Sequence, residues 1–265
     1  ILGLHLEGHY LNIKKAGGQL PENIKDPDPN EYIPIVENSP CLARWDAAPE
    51  LPGAIQFGKY CAAKGILPSI AHTQAEFKDV KAAYEAGFTH VTHFYNAMPG
   101  FHNKREYKYE GTVESVYLLD DMTVECVADG IHVPPTILRM VYKIKGVERM
   151  ALITDALACA ASDSDKAFDP RVIIEDGVCK LSDRSALAGS IATTDRLIRT
   201  MVEQVEVPLE DAIRMVSETP SKIMNVYDRK GSLAKGKDAD ILILDEALNI
   251  RCIWQMGKII ENTLF

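Results

Sequence analysis

The stretch Thr89-His90-Val91-Thr92-His93-Phe94-Tyr95-Asn96-Ala97-Met98 decides how the rest of the chain is read. It is an apolar, strand-prone run ending in polar groups able to hold a metal and a substrate, directly before the turn formers Pro99 and Gly100. In a strand, residues two apart share a face, so Val91 and His93 point one way and His90 and Thr92 the other. Only one of the two histidines can therefore serve a site at that end. The position beside the turn favours His93, because a parallel strand opens onto its functional loop there. A lone strand histidine is more often a hydrogen-bonded core residue than a ligand, so this stretch alone leaves both roles open.

Outward from it the same unit repeats. Residues 66–75 predict a strand reaching His72, and residues 76–86 a helix closed by Gly87. Residues 122–128 predict a strand leading to Asp129-Gly130-Ile131-His132; Pro134 and Pro135 then open a helix to Tyr142, and residues 150–155 form a strand ending in Asp155. Upstream, residues 1–8 read as a short strand with His5, Glu7 and His9 on one face, and residues 41–49 as another, followed by a helix over 53–64. Strands alternating with helices at this spacing imply βαβ units, a parallel sheet and an α/β fold of the (β/α)8 TIM-barrel type, with polar residues collected at one end of the strands.

The remaining segments are less regular. Residues 12–39, rich in Pro, Gly, Asp, Glu and Asn, read as a long loop with room for one helical turn. The segment after His93, with His102, Asn103, Lys104 and Arg105, reads as a polar, basic loop. Residues 168–186 suggest hairpin-like pieces around Asp176-Gly177 and Ser182-Asp183, followed by helices over 194–205 and 209–218. Two alternating segments, 236–245 and 251–260, read as strands of a small separate sheet. The expected division is a hydrolase barrel at 1–228 and strands of a small β-sandwich at 229–265.

Composition narrows the function classes. A formal net charge of −9 argues against a general nucleic-acid surface, which shows a basic face. No apolar run reaches the roughly 18 residues of a membrane span, and no basic-then-apolar leader is present. Cys41, Cys61, Cys126, Cys159, Cys179 and Cys252 are scattered without a Cys-x-x-Cys pair, which reads as reduced thiols of a cytoplasmic protein. The chain begins at Ile1 and enters a strand at once, which reads as an internal piece or a processed product.

Glu7, His72 and His93 are a carboxylate and two imidazoles, each ending a different strand of one parallel set. A catalytic zinc site uses three protein ligands of this kind and leaves a fourth position for water. Asp155 ends another strand at the same rim, where it is placed to take a proton from water.

Here the sequence resembles a known family. His5-Leu6-Glu7-Gly8, Ala71-His72-Thr73-Gln74-Ala75, residues 92–98, Asp129-Gly130-Ile131-His132, Thr154-Asp155-Ala156 and Leu187-Ala188-Gly189-Ser190 occur in the order found in the N-acetylglucosamine-6-phosphate deacetylases of the amidohydrolase superfamily. The resemblance implies a divalent metal, Zn2+ or Fe2+, on Glu7, His72 and His93, with Asp155 as general base and acid. It implies that Asn96, Ala97 and His132 hold the sugar phosphate, that Leu187, Ala188 and Gly189 contact the sugar, and that a basic residue crosses from the neighbouring subunit of a homodimer. Spacing alone selects Lys104 for that role, and the following Glu106 selects Arg105; the fork of arginine suits phosphate, so Arg105 is the expectation.

Three departures stand out. The family's first strand, with its His-x-His, and half of its sandwich are missing, so the barrel is expected to be incomplete. His9 replaces the family's proline after Glu-Gly. Gln19 falls where the family has a lid histidine; its amide can donate to a developing oxyanion but cannot become cationic. The implied activity is deacetylation of N-acetylglucosamine 6-phosphate, a small-molecule amino-sugar phosphate. The rivals are another amidohydrolase, acting on a cyclic amide or dipeptide, and an inactive truncated piece.

Overall fold

Strand, helix and strand succeed one another through the first half of the chain in the computed structural model, which describes residues 1–160, 162 and 166–263. Strand β1 (Leu4–Leu6) is followed by 3-10 turns at Ile13–Lys15 and Pro21–Asn23 and by helix α1 (Pro29–Asn38). Then come β2 (Leu42–Ala47), α2 (Ala54–Ala63), β3 (Leu67–Ile70), α3 (Phe77–Glu85) and β4 (His90–Val91). A hairpin of β5 (His102–Lys104) and β6 (Tyr107–Tyr109) leads to α4 (Thr112–Tyr117), β7 (Thr123–Val127), α5 (Pro135–Lys145) and β8 (Met150–Ile153). A second hairpin, β9 (Val172–Glu175) with β10 (Val178–Leu181), precedes α6 (Thr194–Arg199), α7 (Leu209–Val216) and α8 (Glu218–Ile223). The described chain closes with β11 (Ile241–Leu244), β12 (Ile250–Gln255) and β13 (Lys258–Asn262).

Six strands pair in parallel in the order β1-β2-β3-β4-β7-β8, a curved sheet with β1 and β8 at its edges among the described residues. Its faces differ in chemistry. Ala47, Ile70, Val91 and Val124 lie in register on adjacent strands and pack with Trp45, Phe57, Val80 and Leu138 into the apolar core shared with the helices. The opposite, concave face carries Arg44, Asp46, His90, Thr92 and Glu125, all buried and joined by hydrogen bonds or ion pairs. This is part of a (β/α) barrel, and its strand ends assemble the site.

Several local expectations change. Half of the long loop is helical: Asp28 caps α1 by accepting from the Asn30 amide at 2.8 Å, Pro29 occupies the first turn, and Tyr32 and Val36, four apart, are buried. Its acids and prolines hid that spacing. The basic loop after His93 is the β5–β6 hairpin plus α4. The helix over 194–205 widens into a π turn at Thr200–Gln204 after α6, and α8 follows α7 unannounced. The tail has three antiparallel strands rather than two, β11-β12-β13, paired among themselves. Residues 264 and 265 of the expected sandwich segment lie outside the described residues. The period-two pattern of His5, Glu7 and His9 stops with β1: His5 pairs with Asp46 at 2.9 Å, whereas His9 is exposed, 3.8 Å from Glu31.

Candidate metal centre and substrate pocket

Where the parallel strands end, the backbone bends sharply. His72, His93, Tyr95, Ala97 and Asp155 all have positive φ, at 45°, 32°, 81°, 53° and 48°. Such conformations cost a non-glycine residue on the order of 1 kcal/mol each and persist only where the surroundings hold them. At this rim they turn the strand ends inward, so that side chains far apart in the chain converge.

Glu7, His72 and His93 form the one cluster of metal-ligating groups found among the described residues. Glu7 Oε1 lies 2.8 Å from both His72 Nε2 and His93 Nε2, which are 3.1 Å apart. His72 Nδ1 is 2.6 Å from the Lys15 carbonyl, which can only accept, so Nδ1 carries a proton; a ring protonated there alone presents a lone pair at Nε2. Lone pairs and a carboxylate therefore converge on one point, and a proton or a cation must satisfy them. Burial works against charge on His93, yet Glu7 more than offsets it and lifts the ring to about 9. Burial likewise opposes ionisation of Glu7, and the two imidazoles outweigh it and hold the carboxyl well below its ordinary range. A field that retains a proton so strongly also favours a cation, so the donor set fits a divalent metal.

These groups open into a cavity of about 560 Å³. Glu7, His72, His93, Asp155, Gln19, Asn96, Ala97, His132, Leu187, Ala188 and Gly189 all line it. Asp155 also lines a second cavity of about 350 Å³ on the concave side of the sheet. Burial raises its carboxyl above the ordinary value, against the opposing charge of His93. His132 is oriented by Asp129, whose Oδ2 accepts from its Nδ1 at 2.8 Å while Oδ1 accepts from the Ile131 and His132 amides. The segment at 187–189 is knitted to the Asp155 loop: the Ser190 amide donates to the Asp155 carbonyl at 2.8 Å and the Leu157 amide to the Ser190 carbonyl at 2.9 Å. Gly189, at φ 70°, is required there, because a Cβ would sit 2.9 Å from the Leu157 side chain.

Two of the expected contact residues, Gln19 and Arg105, sit at different distances from the cavity. Gln19, expected to donate to a substrate oxygen, lines the cavity, and its amide donates to Glu7 Oε2 at 3.0 Å. Arg105 does not line its own chain's cavity; it occupies the two-residue tip of the β5–β6 hairpin at φ 57°, while neighbouring Lys104 is held by Glu76 and the Tyr109 ring. Lys14, Lys15, Asp169 and Arg171 also line the cavity and escaped the sequence reading. Their signal was slight: Arg171 lies in an irregular segment, and only the fold brings its guanidinium, paired with Asp169 at 2.6 Å, within 3.4 Å of the Gly18 carbonyl.

Residues 61–260 match the family model described as the Amidohydrolase family. The chain belongs to the amidohydrolase family. This amidohydrolase is 33% identical over 265 residues to N-acetylglucosamine-6-phosphate deacetylase of Haemophilus influenzae, covering 98% of the chain and 68% of that relative. It is 30% identical to N-acetylgalactosamine-6-phosphate deacetylase of Escherichia coli O157:H7, again over 98% of the chain and 68% of the relative. Among solved structures it superimposes on a mutant N-acetyl-D-glucosamine-6-phosphate deacetylase from Mycobacterium smegmatis in complex with N-acetyl-D-glucosamine-6-phosphate, with a TM-score of 0.91 and 29% identity, covering 98% of the chain and 68% of the other. The amidohydrolase thus spans about two thirds of the length of the relatives it matches.

Proposed function

We infer that the protein is a metal-dependent deacetylase of N-acetylglucosamine 6-phosphate, releasing acetate and glucosamine 6-phosphate. The observation that carries this reading is the convergence of Glu7, His72 and His93 opposite Asp155 in a cavity whose wall includes His132, Asn96 and Ala97. Glu7, His72 and His93 would hold the metal, and two imidazoles with one carboxylate suit Zn2+, with Fe2+ the alternative. When bound, a divalent cation supplies Lewis acidity at the amide carbonyl and lowers the pKa of a water.

The remaining work falls to the chain's own groups. Asp155 accepts the proton of the attacking water and returns it to the departing amine; its raised pKa places it closer to a group that can do both. His132, with Nδ1 committed to Asp129, offers Nε2 to the phosphate, and the turn at Asn96 and Ala97 offers the Ala97 amide, the Asn96 amide donating to the His93 carbonyl at 2.9 Å. Leu187, Ala188 and Gly189 lie against the sugar. Arg105, at a hairpin tip and not part of its own chain's cavity lining, would reach the phosphate of a second copy in a homodimer. Residues 1–228 act as the catalytic unit and 229–265 as an accessory sheet. No described helix is long and apolar enough to cross a membrane, and a small phosphorylated substrate with unpaired cysteines suits the cytoplasm.

The similarity to an N-acetylgalactosamine-6-phosphate deacetylase favours one rival, the C4 epimer of the same substrate. Acetate release from each epimer by the zinc-loaded protein tests the assignment. Release from neither, by protein shown to contain metal, overturns it.

A further inference from the structure

We propose that Glu50 is the positioning residue that builds the metal ligand His72, acting from outside the cavity on both chain segments that hold the ring. This rests on the reading of His72 as a ligand.

Glu50 follows Pro49 in the loop after β2 and does not line the substrate cavity. Its carboxylate nevertheless accepts three hydrogen bonds, all from segments that touch His72. On the far side of the ligand, Oε2 accepts from Thr73 Oγ1 at 2.5 Å and Oε1 from the Gln74 amide at 2.6 Å. The Thr73 hydroxyl in turn accepts from the Ala75 amide at 2.8 Å. These bonds secure the residues immediately after His72, which itself has a positive φ of 45°.

On the other side, Oε1 accepts from Asn12 Nδ2 at 2.8 Å. Asn12 is the start of the 3-10 turn Ile13–Lys15: its side chain accepts from the Lys14 amide at 3.0 Å and its carbonyl from the Lys15 amide at 2.8 Å. Its own amide donates to the His72 carbonyl at 2.9 Å. The turn ends at Lys15, whose carbonyl accepts from His72 Nδ1. That bond sets the tautomer and aims Nε2 at the metal position. Glu50 thus fixes both the backbone of His72 and, through Asn12, the acceptor that makes its Nε2 a ligand.

A ligand left without its outer partners binds metal more weakly, commonly by 10- to 100-fold. Glutamine is nearly isosteric with Glu50, but an amide nitrogen replaces one of the two accepting oxygens. The test uses the full chain and measures the zinc dissociation constant by competition with a chromophoric chelator, beside apo-protein melting. Glu50→Gln should weaken zinc binding by roughly 10-fold or more and Thr73→Val, the milder change, by a smaller factor. Asn12→Ala should weaken it in the parent and have little further effect in Glu50→Gln, since both act on one path.

Zinc affinity within about twofold of the parent in folded Glu50→Gln and Thr73→Val would overturn the proposal, even with lowered melting temperatures, because Glu50 would then be only a loop brace. Additive effects of Asn12→Ala and Glu50→Gln would also overturn the shared path. Failure of the parent to bind zinc removes the premise and overturns it too. A parent that binds zinc tightly and releases no acetate sinks the deacetylase assignment alone.

Discussion

Arg44 on β2 and Glu125 on β7, 81 positions apart in the chain, meet at 2.7 Å across the concave face of the sheet, with each side chain only 7% exposed. Two strands, β3 and β4, separate theirs. On a flat sheet those three spacings would set the backbones about 14 Å apart with parallel side chains. The contact exists because the sheet curls, and the same curl brings Glu7, His72, His93 and Asp155 to one rim.

Removing the carboxylate leaves only Asp46, 3.5 Å away, to offset the buried Arg44 charge, so Glu125→Gln should cost on the order of 3 kcal/mol of stability at neutral pH. Burial raises the Glu125 carboxyl and Arg44 more than offsets it, so its pKa is depressed in the folded state. A depressed carboxyl stabilises fully above its unfolded value of 4.5 and loses that contribution as pH falls below it. Chemical denaturation at neutral pH and at about pH 3.5 should therefore show the parent losing more stability on acidification than Glu125→Gln. Equal losses would mean that the pair does not set the acid response.

His93→Ala should abolish tightly bound metal, because two remaining ligands seldom retain a catalytic ion. Elemental analysis of the purified variant decides this. Unchanged stoichiometry would make His93 structural.

Asp155→Asn should keep metal and fold while turnover drops by about 100-fold to 10,000-fold, since the amide is nearly isosteric but cannot shuttle a proton. Steady-state kinetics with metal content measured on the same sample tests it. Retention of most of the activity would point to another base.

Gln19→Leu removes the hydrogen bond to Glu7 Oε2. A bond to a charged acceptor contributes about 1.5–3 kcal/mol, so zinc affinity should fall by roughly tenfold or more. If affinity is unchanged and only kcat falls, Gln19 serves the substrate rather than the carboxylate.

Arg105→Ala should raise KM for the phosphorylated sugar without altering metal content. Mixing its subunits with inactive Asp155→Asn subunits should restore one competent site per heterodimer. No recovery beyond the residual activity of the separate variants would place Arg105 in its own chain's chemistry or outside it.

What the sequence determined by itself was local and periodic. Helices α2, α3 and α5 were legible because apolar spacing and flanking Gly or Pro are written over a few neighbouring residues. Glu7, His72, His93 and Asp155 stood out because polar groups capping apolar strands in a βαβ repeat fall at one rim whatever the details of packing. Helix α1 was masked by its prolines and acids, since packing of Tyr32 on Phe57 and burial of Val36 in the same core outweighed poor local propensity.

Only the tertiary structure decided which partners meet. Arg44, Thr92 and Glu125 look like isolated polar residues within strands until curvature joins them. Glu50 looks like a surface acid after a proline until two loops bring three donors to its two oxygens. Gln19 could have faced substrate or ligand, and the path of the segment at 12–19 aims it at Glu7. Hydrogen bonds and ion pairs act over a few ångströms, and for residues tens of positions apart that proximity is set by the fold rather than by the sequence around each one.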